Sequence, residues 1–236
     1  MYIHSFLLFS FRIFFLCVLF SPLLPLHGAE RLSWQQAEQV LHTADSLDAQ
    51  GVIYRDTTAF QSVIRTYDRP VVRCLKHSDL GKAYYYLGRN YEDYHQRYLS
   101  AAKCYTRSDQ CRMSDPIMRG RVYSNIEWMY ALGGEHLLAL DFAFKALACY
   151  KHIGDNMYYA NGLLNIAQMY GSAKMYSSED SLLSIVSTLA LDSNTLTRFY
   201  EQKGYYYYDM QQYDSSLLYF HRSLHILICN PNVSSI

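Results

Sequence analysis

After residue 30, small and large apolar residues recur along the chain every three or four positions, which is the spacing of one face of an α-helix. The clearest example is the stretch 196–227, where Gly204 and Ser216 are small and Tyr207 and Phe220 are bulky. Small residues allow two helix backbones to approach closely, and the neighbouring rings fill the space beside them. The pattern therefore predicts two antiparallel helices packed as a hairpin.

The same order of small and aromatic positions occurs three more times towards the N-terminus. If Gly88, Glu127, Ala167 and Gly204 are equivalent, the hairpins follow one another at steps of 39, 40 and 37 residues. The first hairpin has one more residue in its turn than the fourth. The predicted helix pairs are 80–93 with 96–108, 117–132 with 136–151, 157–170 with 178–189, and the two helices of 196–227.

These repeats resemble the tetratricopeptide repeat (TPR), whose signature is a W-x2-L-G-x2-Y half followed by an A-x3-F half. The residues of the first hairpin that carry the resemblance are Tyr84, Leu87, Gly88, Tyr91, Ala101 and Tyr105. The resemblance implies an all-α fold: a right-handed superhelix (α-solenoid) of about four stacked antiparallel hairpins, preceded by an N-terminal helical pair. Because the steps exceed the usual period of about 34 residues, we expect extra turns in the links between hairpins.

The first residues of the chain have the character of a targeting segment. Residues 1–29 contain a single Arg and no Lys, Asp or Glu, and their apolar run 13–26 is interrupted by two prolines. The run is short for a membrane span and ends at small residues, so it predicts a secretory signal peptide cleaved near Ala29. The expected location is therefore outside the cytoplasm, in the periplasm of a bacterium. An uncleaved membrane anchor is the alternative.

The remaining residues divide into a cap, an array and a tail. Residues 30–79 are predicted to form an N-terminal helical cap, with one helix starting at Ser33 and a second stopped or kinked at Pro70. The repeat array is predicted to occupy 80–230 and a disordered tail 231–236. Since no further amphipathic helix follows, the fourth hairpin is expected to leave part of its apolar side uncovered. Either self-association or a longer natural chain would cover it.

The charge balance excludes two classes of partner. The chain has 21 basic and 21 acidic residues, and removing the single Arg of residues 1–29 leaves 20 against 21. Such a neutral surface carries no electrostatic signature for nucleic acid or for anionic lipid. We therefore expect no nucleic-acid partner and no membrane contact beyond the signal segment. Tyrosine is abundant, with 24 residues, and suits helix packing in which the hydroxyl reaches water or a groove.

The resemblance to TPR proteins implies a binding site on the concave face, lined by first-helix residues that packing does not use. Aromatic rings flanked by Arg and Asn suit an extended peptide or protein segment, because rings hold apolar side chains and amides bond the backbone. Solvation or packing on a neighbouring repeat is the alternative for each residue. The predicted lining is Lys82, Tyr85, Tyr86, Arg89, Asn125, Trp128, Asn161, Asn165, Gln168, Arg198, Gln202, Tyr205 and Tyr208.

Part of this face is similar to the clamp with which some TPR domains hold a terminal carboxylate. Asn165 and Arg198 fit two positions of such a clamp, whereas Trp128 and Gln202 stand where an Asn and a basic residue are expected. An intact clamp is therefore not predicted.

Catalytic and metal-binding patterns are weak. His221 and His225 lie four residues apart on one predicted helix, but no third ligand stands at a suitable spacing, so a solvated helix face is the favoured interpretation. Glu127 and Asp141 lie on repeat helices, where ion pairs or solvent contacts are ordinary. We predict no enzyme activity, no metal and no cofactor. Five cysteines remain after cleavage near Ala29, and their spacing is not that of a zinc site. Buried free thiols are favoured over a disulfide between Cys104 and Cys111.

The segment AYYYLGRNYEDY, its helical lead-in and the signal peptide are similar to the extracytoplasmic TPR regions of bacterial sensor and regulator proteins. Two functions follow from these observations. The first is an exported, non-catalytic TPR scaffold that binds a peptide or protein partner on its concave face. The second is the input (sensor) domain, whole or truncated, of a membrane-bound transcriptional regulator or histidine kinase. A helical enzyme is a third and less favoured class.

Overall fold

The computed structural model describes residues 31–94, 96–154 and 156–230. Regular secondary structure in these ranges is helical throughout, without a strand. None of the described helices has the length and apolar character needed to cross a membrane. The predicted signal peptide and the predicted tail 231–236 lie outside the described residues.

The helices fall into two compact units, with the division between Ala139 and Leu140. The N-terminal unit contains α1 (Trp34–Asp48), α2 (Thr57–Tyr67), α3 (Pro70–Leu75), α4 (His77–Arg89), α5 (Tyr98–Gln110) and α6 (Pro116–Leu132). The helix α7 (His136–Ile153) contains the division. The C-terminal unit continues with α8 (Asn156–Ser172), α9 (Tyr176–Val186), α10 (Ser193–Asp209) and α11 (Tyr213–Cys229).

Several helix starts are fixed by capping side chains close in sequence. Ser33 and Gln36 form a reciprocal capping box at the start of α1. At the start of α6, the Asp115 carboxylate accepts a hydrogen bond from a backbone N–H of the first turn, and Pro116 occupies the first helical position. Asp192 caps α10 by accepting from the backbone N–H of Thr195 at 2.8 Å. These local signals explain why helix starts can be predicted from sequence to within a few residues.

The hairpin of α4 and α5 is packed by a glycine against a tyrosine ring. A Cβ built on Gly88 would lie 2.6 Å from Cε1 of Tyr105, whose side chain is fully buried. The Tyr105 hydroxyl donates to Glu92 at 2.6 Å, so the ring is held at both ends. On the same hairpin, Ser108 donates its hydroxyl hydrogen to the carbonyl oxygen of Gly81 at 2.7 Å. Small residues therefore bring the two backbones together, as the sequence pattern predicts.

A π-helical turn, Asn90–Tyr94, extends α4. Such a turn accommodates one extra residue within a helix, which accounts for the extra residue of this hairpin relative to the fourth. Asn90 is buried, and its side-chain amide donates to the carbonyl oxygens of Tyr54 and Tyr86 at 2.9 and 3.0 Å. The bond to Tyr54 ties the irregular turn to the segment before α2.

The C-terminal unit repeats the same packing. A Cβ on Gly204 of α10 would lie 2.7 Å from Cε1 of Phe220 of α11, and the Ser216 hydroxyl donates to the Gly204 carbonyl oxygen at 2.9 Å. The pairing of Gly204 with Phe220 confirms the hairpin inferred from their spacing. Between α8, α9 and α10 lies a core of buried apolar side chains: Ala160, Leu163, Leu164, Ala167, Leu183, Val186 and Phe199.

Candidate partner-binding site

Two parallel rows of polar side chains lie on α8 and α10. Asn161, Asn165 and Gln168 recur at four and three residues on α8, which places them on one helix face. The residues one repeat later occupy the same positions on α10; they are Arg198, Gln202 and Tyr205. We call these six residues the polar rows.

A guanidinium bound by two amides joins the polar rows. Nη1 of Arg198 donates to Oδ1 of Asn161 at 2.5 Å, and Nη2 donates to Oδ1 of Asn165 at 2.8 Å. All three side chains are half-buried. Because two nitrogens of a planar, rigid group are each held by an amide, the orientation of Arg198 is fixed before any partner arrives.

The orientation of Asn161 is fixed in turn by α8 and α10. Its Nδ2 donates to the carbonyl oxygen of Met157 at 2.9 Å and to the hydroxyl of Thr195 at 3.1 Å. Thr195 is buried in the first turn of α10, where its own backbone N–H is capped by Asp192. The cluster is therefore supported by the helix terminus as well as by side chains.

One turn further along α10, Gln202 rests on a buried carboxylate. Nε2 of Gln202 donates to Oε1 of Glu179 at 2.7 Å, and Glu179 is 1% exposed. Oε2 of Glu179 has no hydrogen-bond partner among the described residues. Burial raises the pKa of Glu179, an effect that the hydrogen bond from Gln202 opposes. The adjacent Lys203 forms an ion pair with Asp180 at 3.0 Å.

Exposed tyrosines continue the row on α10. Tyr205 and Tyr208 are each 58% exposed. Tyr205 packs edge-on against Phe220 at 5.1 Å between ring centroids, and Tyr208 packs similarly against Tyr213 at 5.8 Å. Each ring is thus supported on one side and open to a partner on the other. On α8, Gln168 is also exposed.

The predicted residues of the N-terminal unit have different surroundings, because acidic residues of α1 pair with them. Oδ2 of Asp45 accepts from Nζ of Lys82 at 2.8 Å, and Oδ1 of Asp45 accepts from the hydroxyl of Tyr86 at 2.7 Å. Burial, followed by the bond to this carboxylate, raises the pKa of Tyr86. Tyr85 is 2% exposed and packs against the rings of Tyr86 and Tyr105. Tyr85 therefore contributes to packing and presents almost no surface.

A second aspartate of α1 binds two arginines. Asp48 forms ion pairs with Arg89 of α4, at 3.9 Å, and with Arg121 of α6. Arg89 also donates to Asp93 through Nε at 2.7 Å. Burial acts to lower the pKa of Arg89, but the neighbouring Tyr85 and Asp93 raise it overall. The two aspartates of α1 thus neutralise the cationic side chains predicted for this unit.

The other two predicted residues of this unit lie on α6. Trp128 is 48% exposed, whereas Asn125 is half-buried and its Nδ2 is a buried atom without a hydrogen-bond partner among the described residues. As contacts of a partner, the thirteen residues remain predictions. The structure joins Arg198 to Asn161 and Asn165, and it joins Lys82 and Tyr86 through Asp45.

The chain matches no protein-family model and no curated protein sequence. The crystal structure of BtubC (BKLC) from P. vanneervenii is similar, with a TM-score of 0.57 and 13% identity over 85% of this chain and 94% of that one. A crystal structure of the MamA protein has a TM-score of 0.51 and 15% identity, over 86% of this chain and 98% of that one. Both are TPR-like helical-repeat proteins.

The chain has a TPR-like helical-repeat fold. The all-α α-solenoid class predicted from the sequence is thereby confirmed. At these identities the likeness extends to the fold alone.

Sequence reasoning missed several residues that shape the candidate site. Arg121 lies 39 residues after Lys82 and 40 residues before Asn161, so it occupies the equivalent position in the second repeat. The repeat spacing alone was sufficient to find it. The two aspartates of α1 share one helix face at a spacing of three, which is a weaker signal. Glu179 and Thr195 have no sequence signal, because their roles arise only from the packing of α10 on α8 and α9.

The residues considered for metal binding and disulfide formation are not members of the polar rows. His221 and His225 are exposed on α11, and the described residues contain no group of three or more His, Cys, Asp or Glu arranged to hold a metal. Cys104 and Cys111 are both free thiols. Asp141 pairs with Lys145 at 2.7 Å, as expected for a repeat helix.

A cavity of about 140 Å³ lies between α5 and α6, lined by Ser108, Asp109, Arg112, Met113, Arg119, Val122 and Tyr123.

Proposed function

We propose that this protein is an exported, non-catalytic helical-repeat scaffold that binds an extended segment of a protein partner on the polar rows of α8 and α10. The supporting observation is the fixed arrangement of Arg198 between Asn161 and Asn165. A guanidinium and amides held in place lose little side-chain entropy when a partner binds, so their hydrogen bonds contribute more to affinity.

The composition of the polar rows favours a peptide backbone as the ligand. Side-chain amides offer both a donor and an acceptor, which matches the alternating N–H and C=O groups of an extended chain. Nε2 of Gln202 donates its hydrogen bond to Glu179, and Oε1 of Gln202 points away from that bond. This oxygen can therefore accept a hydrogen bond from the partner. The exposed ring of Tyr205 adjoins it and supplies apolar area for a side chain of the partner.

The test is a selection of peptides from a display library on the purified chain, followed by affinity measurement on the selected peptides. We expect Arg198→Ala and Tyr205→Ala each to weaken binding by about 10-fold or more, the range of a binding hot spot. Ser184→Ala is the matched control, because Ser184 is an exposed residue of α9 outside the polar rows. Unchanged affinity of both site variants, with the control also unchanged, would refute the proposed site.

The sensor-input function is a second proposal, supported by the sequence resemblance alone. It uses the same binding surface and differs in what the bound state controls. Reporter output in a cell that carries the associated regulator or kinase separates the two functions. Loss of output in the Arg198→Ala variant supports a sensor, and unchanged output despite lost peptide binding supports a stand-alone scaffold.

A further inference from the structure

The helix α11 exposes an unusual amount of apolar surface. Of its 17 residues, only Ser216 and Ser223 are buried. Four large aliphatic side chains are half or more exposed: Leu217 at 58%, Leu218 at 50%, Leu224 at 50% and Ile228 at 71%. Contiguous exposed apolar surface of this kind marks interaction sites on soluble proteins.

The repeat itself does not require apolar residues on this face. At the step of 37 residues, the positions equivalent to Leu217, Leu218, His221, Leu224 and His225 are polar in the preceding hairpin; they are Asp180, Ser181, Ser184, Ser187 and Thr188. Ile228 is the exception, because its equivalent is the apolar Leu191. The partly buried apolar residues of that segment that pack against the core of α8, α9 and α10 are Leu182, Leu189 and Leu191. Leu217, Leu218 and Leu224 therefore lie outside the side on which a further repeat would stack, whereas Ile228 belongs to both.

The spacing on α11 is that of a helix-pairing seam. Leu217, His221, Leu224 and Ile228 follow one another at four, three and four residues, the spacing of core positions in coiled coils. None of these four positions carries an Asp, Glu, Lys or Arg. A face without such charges can meet its own copy without like-charge repulsion, which an interface between identical surfaces requires. We call these four residues the α11 seam.

We propose that two copies of this chain associate through the α11 seam. The seam has four residues, and Leu218 and His225 flank it. If each of these six side chains contributes about 100 Å², a two-fold pair would bury about 1,200 Å² in total. This area is the lower limit of standard-sized interfaces. An interface of this size is expected to be weak, with a Kd of about 10 µM, because each copy places two histidines in it and Arg222 beside it, between Leu218 and His225. The association is independent of the polar rows, which lie on α8 and α10.

The test is sedimentation velocity on the chain as the cell processes it, from about 1 µM to about 200 µM. We expect a reversible monomer–dimer equilibrium. Leu224→Glu should weaken association by about 100-fold, because a charge is placed on both sides of the pair, and His221→Leu should strengthen it by about 10-fold. The control is Leu75→Glu, since Leu75 is 71% exposed in the N-terminal unit and should leave the equilibrium unchanged.

Circular dichroism of each variant checks that the helices are retained. A wild-type chain that stays monomeric at every concentration overturns the proposal. Dimers that persist in Leu224→Glu, or that fail to tighten in His221→Leu, also overturn it. The seam is supported when the first variant dissociates, the second tightens and the control does neither.

Discussion

Replacement of Gly88 by Ala tests whether hairpin packing depends on the absence of a side chain at this position. The added Cβ would lie 2.6 Å from Cε1 and 2.9 Å from Cδ1 of Tyr105. Tyr105 cannot move aside easily, because it is fully buried and its hydroxyl is bonded to Glu92. Overpacking of this kind costs about 1–3 kcal/mol, and the better helix propensity of Ala offsets about 1 kcal/mol. Because the ring is held firmly, we take the upper part of that range, about 2–3 kcal/mol, which leaves a net loss of about 1–2 kcal/mol in the N-terminal unit.

Gly204→Ala is the matched comparison. A Cβ at Gly204 would approach Phe220 to 2.7 Å, a distance close to that at Gly88, but Phe220 is only partly buried and has room to rotate outwards. The overpacking cost is then about equal to the gain in helix propensity, and the net change should be within about 1 kcal/mol of zero. The two glycines thus separate the effect of distance from the effect of how firmly the ring is held.

The assay uses the two tryptophans. Trp34 and Trp128 both lie in the N-terminal unit, so tryptophan fluorescence during urea unfolding reports that unit, while circular dichroism reports both units. A double-mutant cycle with Tyr105→Ala isolates the contact. In the absence of the ring, Gly88→Ala should stabilise the unit by about 1 kcal/mol, which is the propensity gain alone. An identical effect of Gly88→Ala with and without the Tyr105 ring would refute the packing argument.

Three further predictions concern the ion pairs, the buried carboxyl group and the leader. Asp48→Asn should destabilise the N-terminal unit by about 1–3 kcal/mol in the fluorescence assay, because two half-buried arginines lose their shared carboxylate. Burial raises the pKa of Glu179 above 4.5, so the protonated carboxyl group stabilises the folded state at low pH and this contribution is lost as the pH rises above that value. Native-state hydrogen exchange of the C-terminal unit should show this loss of stability with rising pH. Glu179→Gln should remove the pH dependence. Edman sequencing of the chain from the cell envelope should begin at about Glu30, and a start at Met1 would support an anchor instead.

The hairpins could be predicted from the sequence because their packing is local. Gly88 and Tyr105, or Gly204 and Phe220, lie within 17 residues of each other and report the same small-against-large contact each time. Pro and capping residues then set the helix starts without reference to the rest of the fold. The π-helical turn at Asn90–Tyr94 was not predicted, since an extra residue in a turn region has no single structural solution.

The candidate site was less predictable, because it depends on which helices are neighbours. Lys82 and Arg89 appear as available cations in the sequence, and only the position of α1 shows that Asp45 and Asp48 pair with them. Conversely, Asn161, Asn165 and Arg198 were predicted as separate contacts, and the structure shows them bonded as one cluster. Residue type and spacing can locate a face of a helix, but the partner that neutralises or orients each group comes from packing over more than 30 residues.

The most direct test of the binding proposal is nuclear magnetic resonance on the chain with ¹⁵N-labelled Asn and Gln, titrated with a library-selected peptide. We expect the side-chain amide signals of Asn161, Asn165 and Gln202 to shift as the peptide is added. Those of the exposed Gln39, on α1, and Gln50, in the turn after α1, should stay in place. If the peptide binds and these three signals do not move, the polar rows are not the binding site.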